Sequence, residues 1–183
     1  DQPPGYAPAL ACLTRAPGDV RVASAPTDVA QYVAYDVHPT CGLATRESVV
    51  GRFDDPACFS FPDRIRAGIL WMGYGYVEYL VPNYLTEDTR LLELRISLEL
   101  ASEAPGYAAY YPSDITFSLN GKALGVYQSK GEYNDRTGSV NPSWWYGNLG
   151  QYGKKVTLTV GSDGTYIGGV RASSVRLSDL GLK

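Results

Sequence analysis

Acid–base and metal chemistry draw on side chains that this sequence supplies sparingly: one His, one Met and three Cys in 183 residues. His38 and Cys41 are separated by Pro39 and Thr40, and Cys12 and Cys58 complete the ligand count of a Cys₃His zinc set. The paired knuckles of a structural zinc site are missing, since Cys58 stands alone and Cys12 falls in an Ala/Pro-rich lead. The expectation is therefore no metal site and thiols that pack as small hydrophobes. Asp54 and Asp55 offer the one cofactor reading, a structural Ca²⁺ on loop oxygens, set against their simpler role as turn formers before Pro56. Hydrolysis of a glycan would need two facing carboxyl groups with separated pKa values. Glu103 is embedded among aromatics but has no evident partner, so the sequence reads as no enzyme.

The aromatic residues carry more information. There are 15 Tyr and 3 Trp against 4 Phe, so rings with a polar handle dominate, and such rings suit a surface that is part buried and part wet. Eight of them fall in two irregular stretches, 103–113 and 131–153: Tyr107, Tyr110, Tyr111, Tyr133, Trp144, Trp145, Tyr146 and Tyr152. Polar residues interleave with them, and the candidate ligand-binding set is Glu103, Tyr107, Tyr110, Tyr111, Arg136, Asn141, Trp144, Trp145, Gln151 and Tyr152. As a platform, these rings would stack on the apolar face of a sugar or similar small molecule while the polar groups fix its orientation in a concave surface. As a plug, the indoles of Asn141-Pro142-Ser143-Trp144-Trp145 would instead close one end of a core. Adjacent residues in extended chain point opposite ways, so at most one Trp is readily free for a ligand.

What must position these loops is a set of short strands. Leu94, Ile96, Leu98 and Leu100 alternate with Glu93, Arg95, Ser97 and Glu99, a period of two. Ile115, Phe117 and Leu119 repeat it, as do Val156, Leu158 and Val160. Asn120-Gly121 predicts a type I′ hairpin turn, and Ser162-Asp163-Gly164 a second turn. Residues 69–72 and 76–81 read as a strand pair around Gly73 and Gly75, and short helical turns are expected at 86–91 and 143–146. The stretch 54–66 reads as a long irregular loop of the functional or mobile kind. The fold class is all-β, a two-sheet antiparallel sandwich or jelly roll, with residues 1–28 as a leading arm or linker holding one strand at 20–23 and residues 29–183 as the domain.

Composition bounds the partners. A formal net charge of −3 and a single adjacent basic pair, Lys154-Lys155, argue against direct nucleic-acid contact, because phosphate binding needs clustered cations. No apolar run reaches the length of a membrane span, and the N-terminal residues have neither the basic start nor the apolar stretch of a signal peptide. With an odd cysteine count this fits a reducing, cytoplasmic setting, the alternative being one disulfide and a free thiol in a secreted protein whose signal has been removed.

Several segments, in this order, carry a resemblance: Pro39–Ala44 (PTCGLA), Gly75–Tyr79 (GYVEY), Ser102–Tyr107 (SEAPGY), Pro112–Gly121 (PSDITFSLNG), Asn141–Trp145 (NPSWW), Gln151–Gly153 (QYG) and Val175–Leu182 (VRLSDLGL). Together they resemble the C-terminal β-sandwich of bacterial ArsR-type winged-helix transcriptional regulators, itself similar to galactose-binding-like and carbohydrate-binding modules. The resemblance implies a non-catalytic domain that senses a ligand or mediates assembly, including pairing into a homodimer. Residues 1–28 are too few for a winged helix, so the DNA-binding part is expected to be absent from this chain. It departs from the family pattern at Ala108-Ala109-Tyr110-Tyr111 and at 131–138, which bears on the ligand more than on the fold. The alternative function is a free-standing carbohydrate-binding module, and a glycan-active enzyme ranks below both.

Overall fold

The computed structural model describes residues 9–16, 19–83, 85, 86 and 88–182, and of residues 9–16 and 19–21 the backbone alone. Among the described residues ten strands follow in order: β1 (Ala9–Ala16), β2 (Asp19–Pro26), β3 (Tyr32–Ala44), β4 (Ile69–Tyr79), β5 (Arg90–Leu100), β6 (Ser113–Leu119), β7 (Lys122–Ser129), β8 (Lys154–Val160), β9 (Thr165–Ile167) and β10 (Val170–Ser173). Three 3₁₀ turns, Pro56–Ser60, Pro62–Arg66 and Leu177–Leu180, punctuate them. The all-β reading holds, and the pairing between strands is antiparallel. Among the described residues no helix is long and apolar enough to cross a membrane.

The strands form a six-stranded sheet in the order β10-β9-β8-β5-β1-β2 and two hairpins, β3–β4 and β6–β7. Alternation explains the large sheet's inner face. Leu94 on β5 and Val156, Leu158 and Val160 on β8 are buried together with Ile167 on β9 and Leu124 on β7. Each such side chain contributes roughly 1.5–3 kcal/mol before its entropy cost. The hairpin β6–β7 lies over this face through Phe117, Leu119 and Tyr127, and Leu180 in the last 3₁₀ turn closes the cluster. Its turn is as the dipeptide predicts: Asn120 and Gly121 have φ of 49° and 74°, both in the left-handed region a type I′ turn requires. The Ser162-Asp163-Gly164 turn likewise joins β8 to β9, with the Gly161 N–H donating to the Gly164 carbonyl.

A second cluster sits on β3–β4. Tyr32, Val37, Cys41 and Leu43 from β3 pack with Val50, Cys58 and Phe59 from the connection that follows, and with Leu70, Met72, Val77 and Tyr79 from β4. The segment 54–66, expected as a functional or mobile loop, is thus a core element. Asp55 caps its first 3₁₀ turn by accepting from the Ala57 N–H, and the turn drives Phe59 inward against Tyr32. Arg64 from the next turn stacks 4.3 Å over the Tyr32 ring and donates to the Ala30 and Tyr32 carbonyls. Such a cation over a ring pins the connection back onto the ribbon.

Three sequence expectations are corrected. Residues 69–72 and 76–81 are not a strand pair: 69–79 is one strand, β4, which pairs with β3. Residues 1–28 hold two strands rather than one, and β1 pairs with both β2 and β5 in the large sheet, so most of the expected arm is sheet. The turn at 86–91 shrinks to Thr86 and Thr89, joined by the Thr89 N–H on the Thr86 carbonyl and by their hydroxyls, before β5 begins. By contrast, a turn at 143–146 is present, with the Trp145 N–H donating to the Pro142 carbonyl.

Candidate functional site

The connection from β7 to β8, residues 130–153, separates the expected site residues into groups with different work. The indoles face the β3–β4 ribbon. Trp145 meets Trp71 edge-on at 5.8 Å and leans on Trp144 at 5.6 Å, while Phe53 reaches Trp71 from the other side. Both indole N–H groups are satisfied by backbone, Trp144 on the Arg46 carbonyl and Trp145 on the Gly150 carbonyl. Trp71 itself lies flat on Gly42, where any Cβ would fall 2.2 Å from the ring. Both indoles are half-buried, and their contacts tie this loop to the β3–β4 ribbon and to Arg46 beyond it. Gln151 and Asn141 serve the same loop. Asn141 donates to the Gln151 side chain, which is buried and in turn donates to the Tyr146 and Leu149 carbonyls. Backbone carbonyls in an irregular loop need such partners, and these amides are spent on them.

Arg136 and Tyr152 belong to a second group, on the surface. Tyr133 and Tyr152 stack at 5.3 Å, Arg136 covers Tyr152 at 4.2 Å and Lys154 covers Tyr133 at 4.8 Å, giving a cation–ring–ring–cation column. The Tyr152 hydroxyl donates to Asp135 at 2.5 Å, which holds that carboxyl below the usual range and pushes the phenol up. Both faces of this column are occupied by the protein's own cations.

Tyr107, Tyr110 and Tyr111 form the third group and stand apart. They are 40%, 79% and 42% exposed, yet the backbone that carries them is tightly laced. Glu132 exchanges two bonds with Ala108: its carboxylate accepts the Ala108 N–H at 2.7 Å and its own N–H donates to the Ala108 carbonyl at 3.0 Å. Tyr111 N–H donates to the Lys130 carbonyl, and Ser102 N–H to that of Gly131. Gly131 is needed there, because a Cβ would lie 2.2 Å from the Ala109 carbonyl oxygen. Glu132 is 5% exposed. Burial pushes its carboxyl up, and N–H donation from Ala108 and Ala104 opposes the shift. A buried carboxylate thus fixes a loop whose tyrosine rings point into solvent. Reading the sequence missed Glu132, because its partners are backbone groups that no residue pattern announces.

Glu103 sits where this loop meets β3. Its carboxylate accepts from the Thr40 hydroxyl at 3.2 Å and is half-buried. Desolvation raises its pKa from the ordinary 4.5 to about 7, the Thr40 hydrogen bond opposing and the Glu132 and Asp54 charges adding to the rise. A carboxyl raised in the folded state favours folding when protonated, so its stabilising effect is full below about 4.5 and is lost as pH rises through about 7. The Glu103→Gln variant should therefore gain stability over wild type across that window, by about 1–2 kcal/mol once solvent screening is allowed for. Denaturant melts of both proteins at several pH values check this; parallel pH profiles would contradict it.

The residues considered for metal are dispersed. Cys41 and Cys58 are free and buried in the β3–β4 cluster, where burial raises both thiols, Cys58 to about 11. His38 lies on the ribbon's other face, stacked on Tyr74, so His38 and Cys41 do not converge. The side chain of Cys12 lies outside the described residues. Asp54 accepts the Cys41 N–H and Asp55 the Ala57 N–H, so both carboxylates hold backbone. Among the described residues no three His, Cys, Asp or Glu side chains converge as metal ligands. A shallow groove of about 150 Å³ lies away from all these loops, between Val126 and Gln128 on β7 and Val170 and Arg171 on β10. Where a concave surface was expected between residues 103–111 and 131–152, backbone hydrogen bonds lace the two segments together and Tyr107, Tyr110 and Tyr111 are exposed.

No family profile, curated protein or solved structure matches this chain.

Proposed function

We propose that this chain is a non-catalytic recognition domain, the ligand-sensing or assembly part of a cytoplasmic bacterial transcriptional regulator of the ArsR type whose DNA-binding part lies outside it. One observation carries the recognition role: three exposed tyrosines on a loop anchored by a buried carboxylate. Tyrosine presents a large, rigid, amphipathic surface at low entropic cost, and pre-organising its backbone lowers the cost of binding further. Of the ten expected site residues, Tyr107, Tyr110 and Tyr111 are the ones whose rings are left to solvent by the packing just described. The ligand this surface suits is a sugar or a small ring-bearing molecule with hydroxyl groups, which stacks on one face and hydrogen-bonds at the phenols.

The regulator context comes from the sequence resemblance. The packing of β6–β7 on the large sheet supports a sandwich of the galactose-binding-like kind, with the β3–β4 ribbon and its own cluster added to it. A carbohydrate-binding module is the second reading, favoured by the same tyrosines if no regulator domain accompanies the chain. The test is a glycan and metabolite screen by thermal shift, followed by titration of each hit against the Tyr110→Ala variant. Tyr110 is 79% exposed, so the variant should melt with wild type while its affinity falls on the order of tenfold. Hits that bind Tyr110→Ala and the Tyr107→Ala, Tyr111→Ala double variant as well as wild type would remove the loop from the site.

A further inference from the structure

The β3–β4 ribbon has a second face, opposite its hydrophobic cluster. Val37 and Tyr35 on β3 and Val77 and Tyr79 on β4 point into that cluster. Asp36, His38, Tyr74 and Tyr76 do not: Tyr74 is 65% exposed and Tyr76 53%. Cross-strand pairing sets His38 beside Tyr74 and Asp36 beside Tyr76. His38 and Tyr74 stack at 4.1 Å with their planes 6° apart, so each ring covers one face of the other. Nε2 of His38 lies 3.3 Å from a carboxylate oxygen of Asp36, an arrangement that holds the imidazole in that plane. Tyr76, two residues along the same strand, pairs with Asp36 and adds a second exposed tyrosine to this face. Exposed rings stacked on one another outside a complete core add little to packing.

Charge selects among ring-stacking ligands. Glu78, exposed and two residues beyond Tyr76, adds a second carboxylate to Asp36, and neither β3 nor β4 contains Lys or Arg. A surface of π faces bordered by carboxylates attracts cations, and more so when the cation is carried on a body that also stacks.

We propose that this face binds an oligosaccharide bearing protonated amino groups, its pyranose rings stacked on Tyr74 and Tyr76 and its ammonium groups set against Asp36 and Glu78. The site is separate from the tyrosine loop of residues 107–111, and either can hold without the other. The test is calorimetric titration of the full chain with a glucosamine tetramer in mildly acidic buffer, beside its N-acetylated form and the neutral glucose tetramer. The amino sugar should bind more tightly than either comparator. Tyr74→Ala and Tyr76→Ala should each weaken it on the order of tenfold, as should the Asp36→Asn, Glu78→Gln double variant. Tyr110→Ala should leave it unchanged, and every variant should keep the wild-type melting temperature. Failure of the amino sugar to bind, equal binding of the neutral tetramer, or binding that Tyr110→Ala abolishes and Tyr74→Ala spares would each overturn the proposal.

Discussion

Truncating Glu132 to alanine is expected to cost about 2–4 kcal/mol and to release the tyrosine loop. The buried carboxylate accepts from Ala108, with a further N–H from Ala104, and truncation leaves one buried and one half-buried donor without that partner. Glu132→Gln keeps an acceptor oxygen in place and should cost about 1 kcal/mol or less. The two variants therefore separate loss of the acceptor from loss of the charge. Amide exchange at Ala104 and Ala108 should quicken sharply in Glu132→Ala, and any ligand held by Tyr107, Tyr110 and Tyr111 should bind at least tenfold more weakly, because the loop must then be ordered on binding. Slow exchange at both amides in the alanine variant would show that the carboxylate does not anchor the loop.

Gly75→Ala is expected to be at least as damaging, at about 3–4 kcal/mol. Gly75 has φ of +127° and stands so close to β3 that a Cβ would lie 1.9 Å from the Asp36 carbonyl oxygen. The position matters because Gly75 pairs with Val37 between the outward-facing Tyr74 and Tyr76. Leu70 and Met72 point into the cluster, as do Val77 and Tyr79, and the switch from even to odd residues falls between Met72 and Tyr74, where the register shifts between His38 and Cys41. Gly68→Ala is the control: it has no positive φ and nothing stands within 4 Å of an added Cβ, so it should melt within about 0.5 kcal/mol of wild type. Urea melts of the two variants decide the matter, and equal midpoints would contradict the proposed close approach.

The parts of this fold legible in the sequence are those governed by local rules. Alternation of Leu94, Ile96 and Leu100 with polar neighbours marks a half-buried strand wherever it sits, and Asn120-Gly121 marks its turn by backbone sterics alone. The phase change in β4 was not legible, because Gly73 and Gly75 read as turn formers until their proximity to β3 is known. Nor was the role of residues 54–66, since two short 3₁₀ turns have no hydrophobic period to display and Cys58 and Phe59 reach the core one after the other. Residues 9–16 pair through backbone with β5 and residues 19–26 with residues 9–16, and ladders of that kind ask little of side-chain pattern.

The candidate site divides along the same line. Composition marked the loops rich in Tyr and Trp, but the division of labour among them depends on neighbours distant in sequence. Trp144 finds Arg46, Trp145 finds Trp71, and Glu132 finds Ala108. Rings with such partners hold the structure together, and the rings left over face solvent. Tyr76 reads as a strand residue and Tyr74 falls at the break between Gly73 and Gly75, and only the position of the cluster beneath shows that both face away from it.

The most direct test of the recognition role is residue-resolved: amide chemical-shift perturbation across the chain, titrated with the strongest carbohydrate or metabolite hit from a binding screen. The account predicts that the largest shifts fall at residues 103–111 and at Glu132, with the Trp144 and Trp145 indole signals nearly still. Shifts concentrated on the two indoles and on Asn141 and Gln151, with Tyr107, Tyr110 and Tyr111 unmoved, would contradict it.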